Sequence, residues 1–266
     1  TMILYGIASE TSIGRLFIAG IIPGLMLTAL FMAWALFISW KRGTRLVDAD
    51  RIYSMKEKLE LLPRLLPFIV VIVGVVYAMY GGIATPSEAA GVGAMLCLVM
   101  VVVIYRVWQP AKLWLIFRDG LRESGMLMLI IGSSILFGYM MSSLQVTQSV
   151  AESIGQMQVN KWVIFGAINL MLLVAGMFLP PAAIILMTTP ILMPVILAAG
   201  FDPIWFGVIL TINMELGLIT PPVGLNLFVS SAITGVPVLR IALRSTVMIL
   251  GLILALLVVA FVPQLS

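Results

Sequence analysis

Long uncharged runs alternate along this chain with short polar stretches, and the lengths of the runs define the elements. The first apolar run is Phe17 to Trp40, and the segment KRGTRLVDADRIYSMKEKLELLPR after it belongs in water or at an interface. Within that segment Ile52, Met55, Leu59, Leu62 and Leu66 recur at helical spacing and Ser54 and Glu57 stand as a capping box, which predicts an amphipathic surface helix. Leu65 to Tyr80 is the next span. IATPSEAAGVG leads into a third, to about Tyr105, with Thr85, Pro86 and Glu88 spaced as a cap. Trp108 to Arg122 reads as a basic amphipathic helix lying on the bilayer surface, and Met126 to Leu144 as a further crossing.

Lys161 to Asp202 bounds some forty uncharged residues with FLPP near the middle. One crossing needs only about 20 apolar residues, so two limbs are expected. No charge or strongly polar residue marks the turn, which favours a re-entrant hairpin over two full crossings. The run Pro203 to Ile219 follows, then Thr220, Pro221 and Pro222, then Val223 to about Ile233, and a last span near Leu243 to Val262.

Composition agrees with this pattern: 62% of residues are hydrophobic, 10% are charged, and the mean hydropathy is +1.19. These values place the chain in the membrane class. No cleavable leader is expected, because the first run is too long and has no short basic region before it. The absence of histidine argues against a zinc or di-iron enzyme, and the lone Cys97 in an apolar helix excludes CxxC redox chemistry. No basic stripe interleaved with aromatics argues for nucleic acid. If Lys41 to Arg64 is cytoplasmic, alternation leaves Arg15 and Lys161 as the two outside residues among the 15 Lys and Arg. That asymmetry obeys the positive-inside rule and puts the C-terminus, Ser266, in the periplasm.

The paired prolines are the sharpest local signal. Proline removes a backbone donor, and in hydrocarbon each freed carbonyl needs a partner. A helix ending there with free carbonyls suits a cation, while the helix starting there with free amides suits an anion. Gly224 to Ala242 also aligns without gaps on Thr1 to Ala19, with Leu4, Thr11, Leu16, Ile18 and Ala19 matched by identical residues. Under the alternation above the two copies have opposite topology. Inverted repeats with broken helices are the mark of secondary transporters with sites near the midplane.

Around the break, Thr220, Pro221, Pro222 and Gly224, with Asn213 and Asn226, are the candidate cation ligands. A leucine at Asn226 is expected to weaken dependence on that cation more than one at Asn169, which lies on the hairpin limb. Glu215 is the one formal charge between Asp202 and Arg240, an ionisable group inside an apolar span and so a functional candidate, with a structural hydrogen bond as the alternative. Gly176, Pro180, Pro181 and Ala182 at the hairpin turn, and Thr188 beyond it, are candidates for substrate contact. Turn chemistry explains the first four equally well, and Thr188 and Thr189 are open to back-bonding within their own helix.

Five blocks occur in order: SIGRLFIAGIIPG, GGIATPSEAAGVGA, PILMPV, GFDPIWFGVI and NMELGLITPPVGLNLFV. Together they resemble the large membrane subunit of tripartite ATP-independent periplasmic (TRAP) transporters, the dicarboxylate and sialic acid uptake family. The resemblance covers the whole chain and lacks that subunit's N-terminal part, with its first hairpin. It departs at Pro180, where the family often carries an acidic residue, which puts a carboxylate role at that tip in doubt.

The resemblance implies an all-α, polytopic, inverted-repeat elevator transporter in the bacterial inner membrane, with sodium as coupling ion and no other cofactor. A small four-helix membrane subunit, a periplasmic substrate-binding protein and a small organic acid are its implied partners. On this reading 1–40 ends the first repeat and 41–64 is a cytoplasmic linker. Residues 65–160 hold scaffold and arm helices, 161–235 the transport-domain hairpin and broken helix, and 236–266 the last transmembrane helix. A stand-alone sodium/dicarboxylate symporter and an inactive truncated carrier are the alternatives.

Overall fold

The computed structural model describes residues 1–42, 55–146, 148, 149, 152 and 160–265. All regular structure among them is helical: α1 (Met2–Ala8), α2 (Ile13–Ala19), α3 (Ile21–Arg42), α4 (Met55–Tyr80), α5 (Pro86–Val103), α6 (Pro110–Ser143), α7 (Lys161–Gly176), α8 (Pro181–Ala198), α9 (Pro203–Ile219), α10 (Leu225–Thr234) and α11 (Val238–Phe261), closed by a 3₁₀ turn at Pro263–Leu265. Five helical segments among the described residues are long and apolar enough to cross a membrane. The chain is a polytopic membrane protein.

Two expected boundaries are absent. The surface helix near 52–66 and the span from Leu65 merge into α4, and the surface helix at Trp108–Arg122 and the span from Met126 merge into the 34-residue α6. In α6 the cause is local. Between Ala111 and Ser143 there is no proline, and isolated glycines weaken a helix by only about 1 kcal/mol each, too little to stop one this long. The expected cap at Ser54 lies outside the described residues.

The chain divides into two compact units, one of Ala35–Gly125 and one of Thr1–Trp34 with Met126–Ser266. In the first unit α4 packs on α5, and α5 starts at the expected capping box: Thr85 N donates to Glu88 Oε2 at 2.7 Å while Glu88 N donates to Thr85 Oγ1 at 3.4 Å.

The second unit is built around α9. Asp202 caps it, Oδ1 accepting from Ile204 N at 2.7 Å and Trp205 N at 3.0 Å, and Pro203 fills the first helical position. Eleven of its seventeen residues are buried, which leaves a less covered stripe with Ile204, Thr211 and Leu218 half-buried and Glu215 exposed. Helix α7 runs beside it in the same direction. Trp162 at the start of α7 meets Phe201 and Trp205, with ring centroids 5.6 and 6.5 Å away, and Gly176 at its end meets Gly217. Helix α11 runs the opposite way, so that Trp205 Nε1 donates to Val259 O at 3.0 Å. Tyr5 and Leu16, from α1 and α2, seat against Gly207 of α9, and the Tyr5 hydroxyl donates to Pro203 O at 2.7 Å. Under the alignment of Thr1–Ala19 with Gly224–Ala242, the starts of α1 and α10 fall on equivalent residues, Met2 and Leu225.

Candidate functional site

Helix α9 stops because Pro221 and Pro222 carry no N–H for the carbonyls of Gly217 and Leu218, four residues earlier. The chain rescues part of the loss. Thr220 N donates to Gly217 O at 3.2 Å, and the Thr220 hydroxyl donates to Leu216 O at 2.6 Å. The carbonyls of Leu218 and Ile219 receive no hydrogen bond among the described residues. The Pro221–Pro222 peptide is cis, both prolines are exposed, and Gly224 takes φ +59°, a left-handed conformation that favours glycine. Helix α10 opens from there, with the Leu225 and Asn226 amides making no backbone hydrogen bond among the described residues.

The hairpin turn joins this break directly. Gly224 N donates to Met177 O at 3.2 Å. Two glycines make the approach: a Cβ on Gly217 would lie 2.8 Å from the Cα and carbonyl carbon of Gly176, and one on Gly176 would lie 3.2 Å from Gly217 Cα. Backbone therefore meets backbone where α7 ends and α9 nears its end. The turn at 177–180 thus sits level with the break, with Phe178, Leu179 and Pro180 exposed and Pro181 and Ala182 half-buried.

The remaining candidates scatter. Asn213 lies inside, 1% exposed, and its Nδ2 donates to Asn169 O at 2.9 Å and Asn169 Oδ1 at 2.8 Å. Asn169 Nδ2 in turn donates to Phe165 O at 2.9 Å, while Asn213 Oδ1 is buried without a partner among the described residues. Asn169 is thus a member of the polar pair linking α7 to α9. Asn226 and Glu215 are both exposed, Glu215 in the less covered stripe of α9. The Thr188 hydroxyl donates to Ile184 O at 2.8 Å within its own helix, whereas Thr189 Oγ1 is buried with no partner among the described residues.

Two contributions were not foreseen. Asn169 carried the same signal as Asn213, an amide inside an apolar helix, but their pairing across 44 positions is visible only in the fold. Ser134 of α6 donates to Leu186 O, the carbonyl whose own helical partner would be Pro190. The GSS triplet at 132–134 inside an apolar run was its signal.

The arrangement offers open carbonyls, open amides and a hairpin turn at one level of a bundle, with no cluster of metal-binding side chains among the described residues. Comparison with known proteins places it. The family model described as "Tripartite ATP-independent periplasmic transporter, DctM component" matches residues 1–265. The chain is 36% identical over 265 residues to the C4-dicarboxylate TRAP transporter large permease protein DctM of Pseudomonas aeruginosa, covering 100% of this chain and 61% of that protein. It is 32% identical over 264 residues to the sialic acid TRAP transporter large permease protein SiaM of Vibrio cholerae, covering 99% and 61% respectively. With the ectoine TRAP transporter large permease protein TeaC of Halomonas elongata it shares 32% identity over 270 residues, covering 100% and 61%. The chain thus spans about three-fifths of the length of the curated relatives it matches. It belongs to the DctM-component family of tripartite ATP-independent periplasmic transporters, a family of membrane permeases and not of enzymes.

Proposed function

We propose that this chain is the membrane permease part of a sodium-coupled TRAP system that imports a small organic acid, with coupling ion and substrate meeting at the break between α9 and α10. A periplasmic binding protein delivers the substrate and a small four-helix membrane subunit braces the permease. The relatives are named for C4-dicarboxylate, isethionate, sialic acid and ectoine, so this chain's cargo is taken to be a compact acid or zwitterion of the same kind.

One observation carries the reading: the open carbonyls of Leu218 and Ile219 lie where the hairpin turn is bonded to Gly224. Sodium needs several oxygen ligands, and carbonyls at a helix end inside the bilayer supply them without a fixed charge. The Leu218 and Ile219 carbonyls, with Thr220, Pro221, Pro222 and Gly224, form this cation site, with Asn226 at its rim and Asn213 holding α9 against α7. Gly176, Pro180, Pro181 and Ala182 lie at the same level for the substrate, with Glu215 on α9 nearby, while the Thr188 hydroxyl is spent within its own helix.

The turn's depth supports a re-entrant hairpin. At about 1.5 Å per residue α9 and α10 together extend about 40 Å and α11 about 36 Å, so a turn level with the end of α9 falls well within that span. Residues 161–235 then form the moving part of an elevator, and Ser266 is periplasmic. The test uses the assembled complex in proteoliposomes. Pro221→Ala with Pro222→Ala lets α9 close its own hydrogen bonds and withdraws the ligands, so half-maximal uptake should require at least about tenfold more sodium, equivalent to about 1.4 kcal/mol of lost ion affinity. An unchanged sodium activation curve in a normally assembled variant would move the site elsewhere.

A further inference from the structure

At the opposite end of the same unit, where α7 and α9 begin and α11 ends, lies a cavity of about 540 Å³ lined by Arg15, Lys161, Trp162, Phe201, Asp202 and Trp205. Arg15 and Lys161 are 146 positions apart in the chain, yet both line this one space. Each is exposed, and neither forms an ion pair among the described residues. The acid beside them is already committed, because Asp202 Oδ1 caps α9 through two amides. Lys161 Nζ sits 5.4 Å from the Phe201 ring centre and 5.9 Å from that of Trp162, so its charge is held at the mouth by aromatic faces while its N–H donors remain available. The wall is stacked aromatic rings, with Phe201 and Trp205 centroids 5.1 Å apart, and apolar Ile18 and Phe261 nearby are 57% and 67% exposed.

We infer that this cavity binds the head group of an anionic phospholipid, its phosphodiester between Arg15 and Lys161 and its acyl chains along the exposed apolar residues beside the rim. The position fits, since tryptophans gather at the membrane–water boundary and the starts of α7 and α9 meet the end of α11 here. The charge fits, since two cations and one capped carboxylate leave a net attraction for a phosphate, which accepts charge-assisted hydrogen bonds from both. On the sidedness proposed above, these are the two basic residues of the outer face, where such residues are scarce, and they share one cavity. An acidic side chain of a soluble protein would satisfy the cations but would have no use for the apolar rim, which lipid chains cover.

The test is native mass spectrometry of the chain purified in detergent, titrated with phosphatidylglycerol and with phosphatidylcholine. Phosphatidylglycerol should bind at least about tenfold more tightly at its first site, and Arg15→Gln with Lys161→Gln should abolish that preference. Arg15→Lys with Lys161→Arg should retain it within about threefold, because both charges remain. Both residues are exposed, so the melting temperature should stay near that of the parent, which separates lost binding from lost folding. Equal affinity for the two lipids, or a folded double glutamine variant that keeps the preference, overturns the assignment. So does displacement of the lipid by millimolar inorganic phosphate, which would make the site one for a free anion. Lost capture of the binding protein by the double glutamine variant with lipid affinity unchanged would assign the cavity to that protein instead.

Discussion

Two proline sites, Pro190 in α8 and the pair Pro221–Pro222 after α9, interrupt the hydrogen bonding of this bundle in different ways. Pro190 in α8 leaves the carbonyl of Leu186 without its helical partner, and Ser134 of α6 supplies a replacement donor inside a helix that runs on to Ala198. Pro221 and Pro222 leave carbonyls at the end of α9, Thr220 accommodates two of them, and those of Leu218 and Ile219 stay open while the helix ends. Both sites have the same defect, and they differ in whether a neighbour answers it. A filled defect is architecture. An open one in an apolar setting is a place where a ligand gains more than it would on an intact helix, because nothing there has to be displaced.

That contrast can be broken first at the glycine contact that holds the open break against the hairpin. Gly217→Val drives a side chain into the Gly176 backbone, with no flexible atom to yield, and should cost about 3 kcal/mol or more. A thermal melt within about 2 °C of the parent would mean that the two backbones are not in contact.

A smaller loss is expected at the polar pair beside the break. Asn213→Leu removes both bonds to Asn169 and should cost about 2 kcal/mol, while the double variant with Asn169→Leu should cost less than the two single changes together, by about 1 kcal/mol. Strict additivity in chemical denaturation would show that the two amides do not act as a pair. The filled defect comes next. Ser134→Ala should cost about 1 kcal/mol and leave the sodium activation of uptake unchanged, and Pro190→Ala, which restores the helical donor, should make that loss disappear. If Ser134→Ala were equally costly in both backgrounds, its hydroxyl would not be serving Leu186. The smallest effect belongs to Thr188→Val, at about 0.5 kcal/mol or less with uptake intact, because its hydroxyl is bonded to its own helix. Impaired uptake by a stable Thr188→Val protein would show that the hydroxyl faces the substrate.

What the chain disclosed in advance depended on how local the cause was. The break at Thr220–Gly224 and the cap at Thr85–Glu88 are written in adjacent residues, and both stand where expected. The extents of α4 and α6 were not legible, because charge content marks what is wet and does not mark where a helix stops. Glu215 read as buried from its apolar neighbours, yet burial depends on which face of α9 is covered, and it lies exposed on the less covered one. Asn169 and Ser134 were each visible as polar residues in apolar runs. Their partners, Asn213 and Leu186, lie 44 and 52 positions away, a distance that no periodicity spans.

The contact between Gly176 and Gly217 also sets the mechanics of the unit. Side chains normally act as a cushion between helices, letting one shift by rotamer changes before the other responds. Here the cushion is absent, and the bond from Gly224 N to Met177 O adds a tether on the same side. A displacement of the hairpin turn is handed on undamped to the end of α9. The turn and the break are thus joined backbone to backbone, and a shift of one is a shift of the other.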